Sequence, residues 1–170
     1  MRVIGLDPGL RLTGWGVVAW DGLHLRHIAN GTLTSDDKLE LPLRLVQLRR
    51  GLLEVLEEHR PDEAAVEASL VNKNPTSTLK LGVARGVVLM TPAEAGLPVA
   101  EYLPMIVKKA VVGTGHADKA QVGHMVAHLL PGCPIASKDS ADALAVAICH
   151  CHHAATERRW ADAEAAEASR

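Results

Sequence analysis

Val3-Ile-Gly-Leu-Asp7-Pro-Gly, followed by Leu10-Arg-Leu-Thr-Gly-Trp-Gly-Val17, is the stretch around which the chain is organised. An apolar run that ends on an acid and a Pro-Gly pair reads as a buried strand delivering one carboxylate to a turn. Thr13 to Trp20, with small residues alternating against Trp15, Val17 and Val18, reads as its returning hairpin partner. A carboxylate at the end of a buried strand is costly unless it is paired. No Lys or Arg stands in the strand between Val3 and Asp7 to neutralise it, so a divalent cation is the expected partner. The competing reading is an Asp that merely caps the Pro-Gly turn. Acids elsewhere in the chain decide between the two.

Working outward, Asp21-Gly22 signals a turn and Leu23 to Ser35 a third strand. Pro42 suits a first helical turn, and Leu41, Leu45, Leu48, Leu52 and Val55 recur at helical spacing up to the break at Pro61. Ala64-Ala-Val-Glu67-Ala is a short apolar run carrying one acid, a fourth strand reached by a helical crossover and therefore parallel to a neighbour. Asn74-Pro75 opens a second helix to about Met90, in which Gly82 and Gly86 permit close approach of another backbone. Pro98 to Tyr102 is a fifth strand, and Pro104 starts a short helix. Asp118 is an N-cap for the next helix, and Ser137 caps the last one. The order of elements describes an α/β fold, a five-stranded mixed sheet with helices on both faces.

At 170 residues the chain reads as one domain over 1–153, followed by an Ala- and Glu-rich tail, 154–170, expected to be frayed or disordered. No run approaches a membrane span, and a first stretch that reads at once as a strand, without a basic-then-apolar pattern, gives no expectation of export. Cys133, Cys149 and Cys151 are an odd set that argues against a disulfide framework and for a reducing cytoplasm. The net charge of −2 does not itself suggest a nucleic-acid partner. Its distribution does. From Val71 to Lys138 there are seven basic residues, Lys73, Lys80, Arg85, Lys108, Lys109, Lys119 and Lys138, against Glu94, Glu101 and Asp118. A basic middle third beside an acidic centre can bind a polyanion locally.

The further acids are Glu67 on the fourth strand and the pair Asp139 and Asp142, spaced to share one side of the last helix. The helix dipole alone favours acids in a first turn. The apolar run from Ala143 to Ile148 nevertheless marks this helix as buried. Oxygen ligands from several elements suit Mg²⁺ or Mn²⁺. Two such ions about 3.5–4 Å apart can activate a water and stabilise the departing oxygen in phosphodiester cleavage.

Together these residues resemble the RuvC-type Holliday junction resolvases. The resemblance is carried by Gly5-Leu-Asp7-Pro-Gly with Thr13-Gly-Trp-Gly, Ala65-Val-Glu67, Leu79-Lys-Leu-Gly with Ala84-Arg-Gly86, Val107-Lys-Lys-Ala-Val-Val-Gly113, Lys119-Ala-Gln-Val with His124-Met-Val, and Asp139-Ser-Ala-Asp142-Ala-Leu-Ala. It covers residues 1–153 in order. It implies a ribonuclease H-like fold and a homodimer making paired, symmetrical, metal-dependent cuts in four-way junction DNA during recombination and repair. It also implies a branch-migration motor as partner. The family's metal ligands fall on Asp7, Glu67, Asp139 and Asp142, and its lysines near the cleaved phosphate on Lys108 and Lys119. Lys119 is assigned a catalytic role as well. Lys73, Lys80 and Arg85 are further expected DNA contacts. The chain departs from the family pattern at Glu67-Ala-Ser-Leu70, where Leu70 can wedge between bases but cannot stack on them, and at Val83, where the family has Gln.

Other readings compete. Cys149-His-Cys151-His-His153 looks like a zinc site, but residues two apart on a helix point to different sides. Actin-like and sugar-kinase ATPases also begin with a strand, an Asp and glycines, yet need a second phosphate loop and a longer chain. A non-catalytic junction-binding module would retain the basic patch and lose acids, whereas all four are present. An RNA-processing ribonuclease H-like nuclease is the nearest enzymatic alternative.

Overall fold

The computed structural model describes residues 1–68 and 74–168. The strands are β1 (Arg2–Asp7), β2 (Leu12–Trp20), β3 (Leu25–Thr34), β4 (Glu63–Glu67) and β5 (Val99–Tyr102). The helices are α1 (Leu41–His59), α2 (Pro75–Glu94), α3 (Pro104–Val112), α4 (Lys119–Leu129) and α5 (Lys138–Ala168). The sheet order is β3-β2-β1-β4-β5. The two hairpin pairings are antiparallel, and β1–β4 and β4–β5 are parallel, as the intervening helices require.

Side-chain alternation along the strands sorts the core into two layers. Ile4, Leu6, Val17, Ala64 and Val66 face α1 and α2, where Leu48, Leu52, Ala84 and Val88 meet them. Val3, Val18 and Ala65 face α3, α4 and α5, against Val107, Val126, Leu144 and Ile148. The same parity puts Asp7 and Glu67 on the α5 side. Because Leu6 stands beside Val66 in a parallel pair, the two acids leave the sheet at the same edge.

Glycine decides how close α5 comes. A methyl group at Gly5 would collide with the carbonyl oxygen of Ala143, and one at Gly14 with the carbonyl of Asp139. Small residues on both elements, Gly5 against Ala143 and Ala147, thus seat a helix directly on the central strands. From Ala143 to Cys149 every residue of α5 is buried, so this segment carries an apolar surface all round.

Several helix boundaries match the residues that signal them. Pro stands in the first turn of α1, α2 and α3. The Asn74 side chain accepts from the backbone of Thr76 and Ser77. Asp118 and Gln121 form a capping box at α4, and Ser137 and Ser140 form the reciprocal one at α5, with N–H···O distances of 3.0 and 2.9 Å.

The end of α2 differs from the sequence reading. Helix α2 passes through Pro92 to Glu94 instead of ending near Met90. Thr91 and Pro92 are buried, and the Thr91 hydroxyl donates to the Val87 carbonyl at 2.7 Å, so packing holds the last turn despite the missing N–H. Helix α5 extends to Ala168. Ala and Glu are strong helix formers, and the polar composition does not break the helix.

Candidate active site

The carboxylates are assembled by three separate elements. Asp7 ends β1, Glu67 ends β4, and Asp139 and Asp142 occupy the first turns of α5. Gly14 is the β2 partner of Asp7 and also lies under the Asp139 backbone, which brings the start of α5 against the end of β1. The turn after Asp7 is held by buried Thr13, whose hydroxyl donates to the Gly9 carbonyl at 2.7 Å and accepts from the Gly9 amide at 3.2 Å.

Asp7 and Glu67 feel both burial and their charged neighbours. Burial pushes the Asp7 carboxyl up to about 7, with Glu67, Asp142 and Asp139 adding to the effect and Lys119 opposing it. Glu67 is likewise raised, first by burial and then by Asp142, against the lowering influence of Lys119 and Lys108. Lys119 Nζ donates to Asp142 Oδ2 at 2.6 Å, and this bond holds the ammonium above its usual range. A cleft of about 150 Å³ is lined by Glu67, Lys108, Lys119 and Asp142 over an apolar floor that includes Val107 and Val122. The site therefore has more negative charge than its lysines neutralise, and its ligands are all oxygen. That donor set fits a hard divalent cation. Among the described residues no three His, Cys, Asp or Glu side chains close around a single point. Lys119 instead takes one oxygen of Asp142.

The other basic residues divide. Arg85 pairs with Glu101, tying α2 to β5, and its buried Nε has no partner among the described residues. Lys80 is exposed on α2. Leu70 and Lys73 lie outside the described residues. In the Cys/His-rich stretch, burial pushes the Cys149 and Cys151 thiols up to about 12. Each ring nitrogen of His150 is engaged, Nδ1 with the Tyr102 hydroxyl at 2.9 Å and Nε2 with Glu63 at 2.7 Å. His152 meets the Ala110 carbonyl.

Residues 3–150 match the family model described as crossover junction endodeoxyribonuclease RuvC. The chain belongs to the RuvC family. The RuvC of Paramagnetospirillum magneticum is 58% identical over 165 residues, covering 97% of this chain and 99% of that protein. That of Rhodospirillum rubrum is 59% identical over 155 residues, covering 91% and 92%. Among solved structures, T. thermophilus RuvC in complex with a Holliday junction substrate superposes with a TM-score of 0.85 at 37% identity, over 92% of this chain and 96% of that one. The yeast mitochondrial Holliday junction resolvase, at 15% identity and a TM-score of 0.62, shares the fold. Membership bears out the sequence resemblance and the ribonuclease H-like mixed sheet.

Sequence reading missed the residues that place the start of α5 within this RuvC-family site. Asn30 Nδ2 donates to the Pro134 carbonyl at 3.0 Å, and its Oδ1 accepts from the Ala136 amide at 2.9 Å. The Thr32 hydroxyl meets the Ser137 hydroxyl at 2.9 Å. Edge strand β3 thus pins the loop leading to Asp139. Asn30 and Thr32, two apart on a strand, share a face, and that polar pair was the available signal.

Proposed function

We propose that the chain is a structure-selective endonuclease that resolves four-way DNA junctions by paired, symmetrical phosphodiester hydrolysis, using Mg²⁺ or Mn²⁺. The observation that carries this reading is that Glu67, Asp142 and Asp139 all act on the buried Asp7 carboxyl, while Glu67 and Asp142 share one cleft with Lys108 and Lys119. The four carboxylates would hold two ions per site. When bound, the metal would supply Lewis acidity at the phosphate and make a coordinated water more acidic than bulk water. The protein's own part is to hold the ligands rigidly and to bring cationic groups to the phosphate. Asp7 and Glu67 are fixed by the sheet, and Asp139 and Asp142 by a buried helix with a reciprocal cap. Lys119, its side chain 74% exposed, can exchange Asp142 for a phosphate oxygen and stabilise the charge that builds up during cleavage. Lys108, across the cleft, anchors the same strand. Lys80 lies outside this cleft and contributes backbone neutralisation; Arg85 would have to leave Glu101 to do the same.

A second copy of the chain completes the reading. Junction resolution requires two cuts related by two-fold symmetry, which a C₂ dimer supplies. On α2, Leu79 (72% exposed), Val83 and Met90 form an apolar stripe. A Cβ at Gly82 or Gly86 would meet none of the described residues within 4 Å, so those positions are open to a partner. Family resemblance adds a branch-migration motor as the assembly that presents junctions. Side-by-side digestion of a four-way junction, a linear duplex and an RNA–DNA hybrid tests the reading: cutting of the junction alone is expected, and preferential cutting of the hybrid would favour an RNA-processing nuclease instead.

A further inference from the structure

Beside the catalytic cleft lies a second and larger cavity, about 370 Å³, between α4 and α5. Its walls are Ile135, Ala141, Ala120 and Gly123, with Ser137 and Lys138 at the side. Lys119 and Asp142 line both spaces, so the ion pair between them is the partition that separates the two. A phosphate bound at the carboxylates therefore stands one side chain away from an apolar chamber. The chamber's remaining polar groups are the Ser137 hydroxyl and the exposed Lys138 ammonium.

We propose that this cavity receives one unstacked nucleobase of the strand whose phosphate lies at the carboxylates, and that Ile135, Ala141 and Gly123 shape it. The inference rests on the endonuclease reading and extends it to a subsite. Three features select a base over other occupants. The cavity shares its Lys119–Asp142 wall with the carboxylate cleft. Its flanking groups, Lys119 and Lys138, are cationic, as a nucleotide requires. Its volume, near the lower end of small-ligand pockets, suits one planar ring system and not a helix or a duplex. Leaving the stack costs least where pairing is already interrupted, and the crossover of a four-way junction is such a place. An apolar wall with two polar groups at one side gives orientation by hydrogen bonding, so the identity of that base influences the cutting rate. The partition has a further consequence: engaging a phosphate draws Lys119 off Asp142 and opens the passage between the two chambers.

Gly123 provides the test. A Cβ there meets none of the described residues within 4 Å, so Gly123→Leu adds bulk on the cavity wall without a backbone collision, and loss of a helical glycine favours folding. Ile135→Ser removes apolar wall from the opposite direction. Junctions carrying 2-aminopurine at each nucleotide flanking the cut are titrated with metal-free protein to saturation, and a junction set varied at the same nucleotides is cut with Mg²⁺. The unmodified protein should raise the fluorescence of 2-aminopurine severalfold at one position, and its cutting rate should depend on the base there. Gly123→Leu should abolish both effects, and Ile135→Ser should weaken them. If Gly123→Leu keeps the same fluorescence rise and base dependence, the cavity does not hold a base, while the endonuclease reading stands. If no flanking position in the unmodified protein brightens, the base stays stacked and the proposal fails. A protein that binds and cuts no junction at all would overturn the endonuclease reading first and the subsite with it.

Discussion

Replacing Asp7 by Asn should stabilise the metal-free protein in a manner that grows with pH. In the folded chain the Asp7 carboxyl titrates at about 7 instead of 3.8, because it is buried beside other acids. Between those values the folded chain keeps a proton that the unfolded chain has released, so stability falls as pH rises. At 1.36 kcal/mol per pKa unit the full effect is about 4 kcal/mol, reached above the folded-state pKa. Asn cannot ionise, and the variant escapes this penalty. Urea unfolding of both proteins in chelator, at about pH 4 and about pH 8, reads the difference directly. The advantage of Asp7→Asn should be near zero at the acid end and on the order of several kcal/mol at the alkaline end. Saturating Mg²⁺ should narrow the gap by stabilising the unmodified protein, since a cation that binds the folded carboxylates adds to its stability alone. An advantage that is the same at both pH values would refute the assignment of Asp7 to a crowded, underneutralised carboxylate cluster.

Gly14→Ala should lower stability by roughly 1–3 kcal/mol, measured by urea unfolding, and abolish cleavage, because the added methyl meets the Asp139 carbonyl and lifts the start of α5. Lys119→Ala should cut slowly in single turnover at saturating enzyme, whereas Lys80→Ala should lower only affinity and reduce the salt slope by about one; equal single-turnover rates would leave Lys119 as an anchor. Leu79→Arg should shift sedimentation towards monomer, and a monomeric unmodified protein, free and on DNA, would remove α2 as the dimer surface.

Much of the fold was legible because local signals agreed with one another. The Pro-Gly turn after Asp7, the crossover before Glu67 and the caps at Asn74, Asp118 and Ser137 each have a local physical cause, and the structure places elements where they point. Pro92 misled because a buried helix end can tolerate a lost hydrogen bond that an exposed one would not. On α2, Gly82 and Gly86 read as places where another backbone could approach closely; within this chain the buried face is instead the one that carries Ala84 and Val88. Periodicity finds a stripe without saying what covers it. At the site, the four acids could be picked out by their apolar neighbours. The Lys119–Asp142 bond and the Arg85–Glu101 pair join residues 23 and 16 positions apart in sequence, and no local pattern encodes them or the cavity beside the cleft.

The central claim is that two copies of this carboxylate site cut opposing strands of one junction. It is tested most directly by incubating the purified protein with Mg²⁺ and a synthetic immobile four-way junction, each strand end-labelled in turn, and mapping the nicks. The account requires cuts at symmetry-related positions on two opposing strands, giving ligatable duplex products, and no cutting when the metal is chelated. Nicks scattered over all four strands, or equal cutting of a linear duplex of the same sequence, would contradict it.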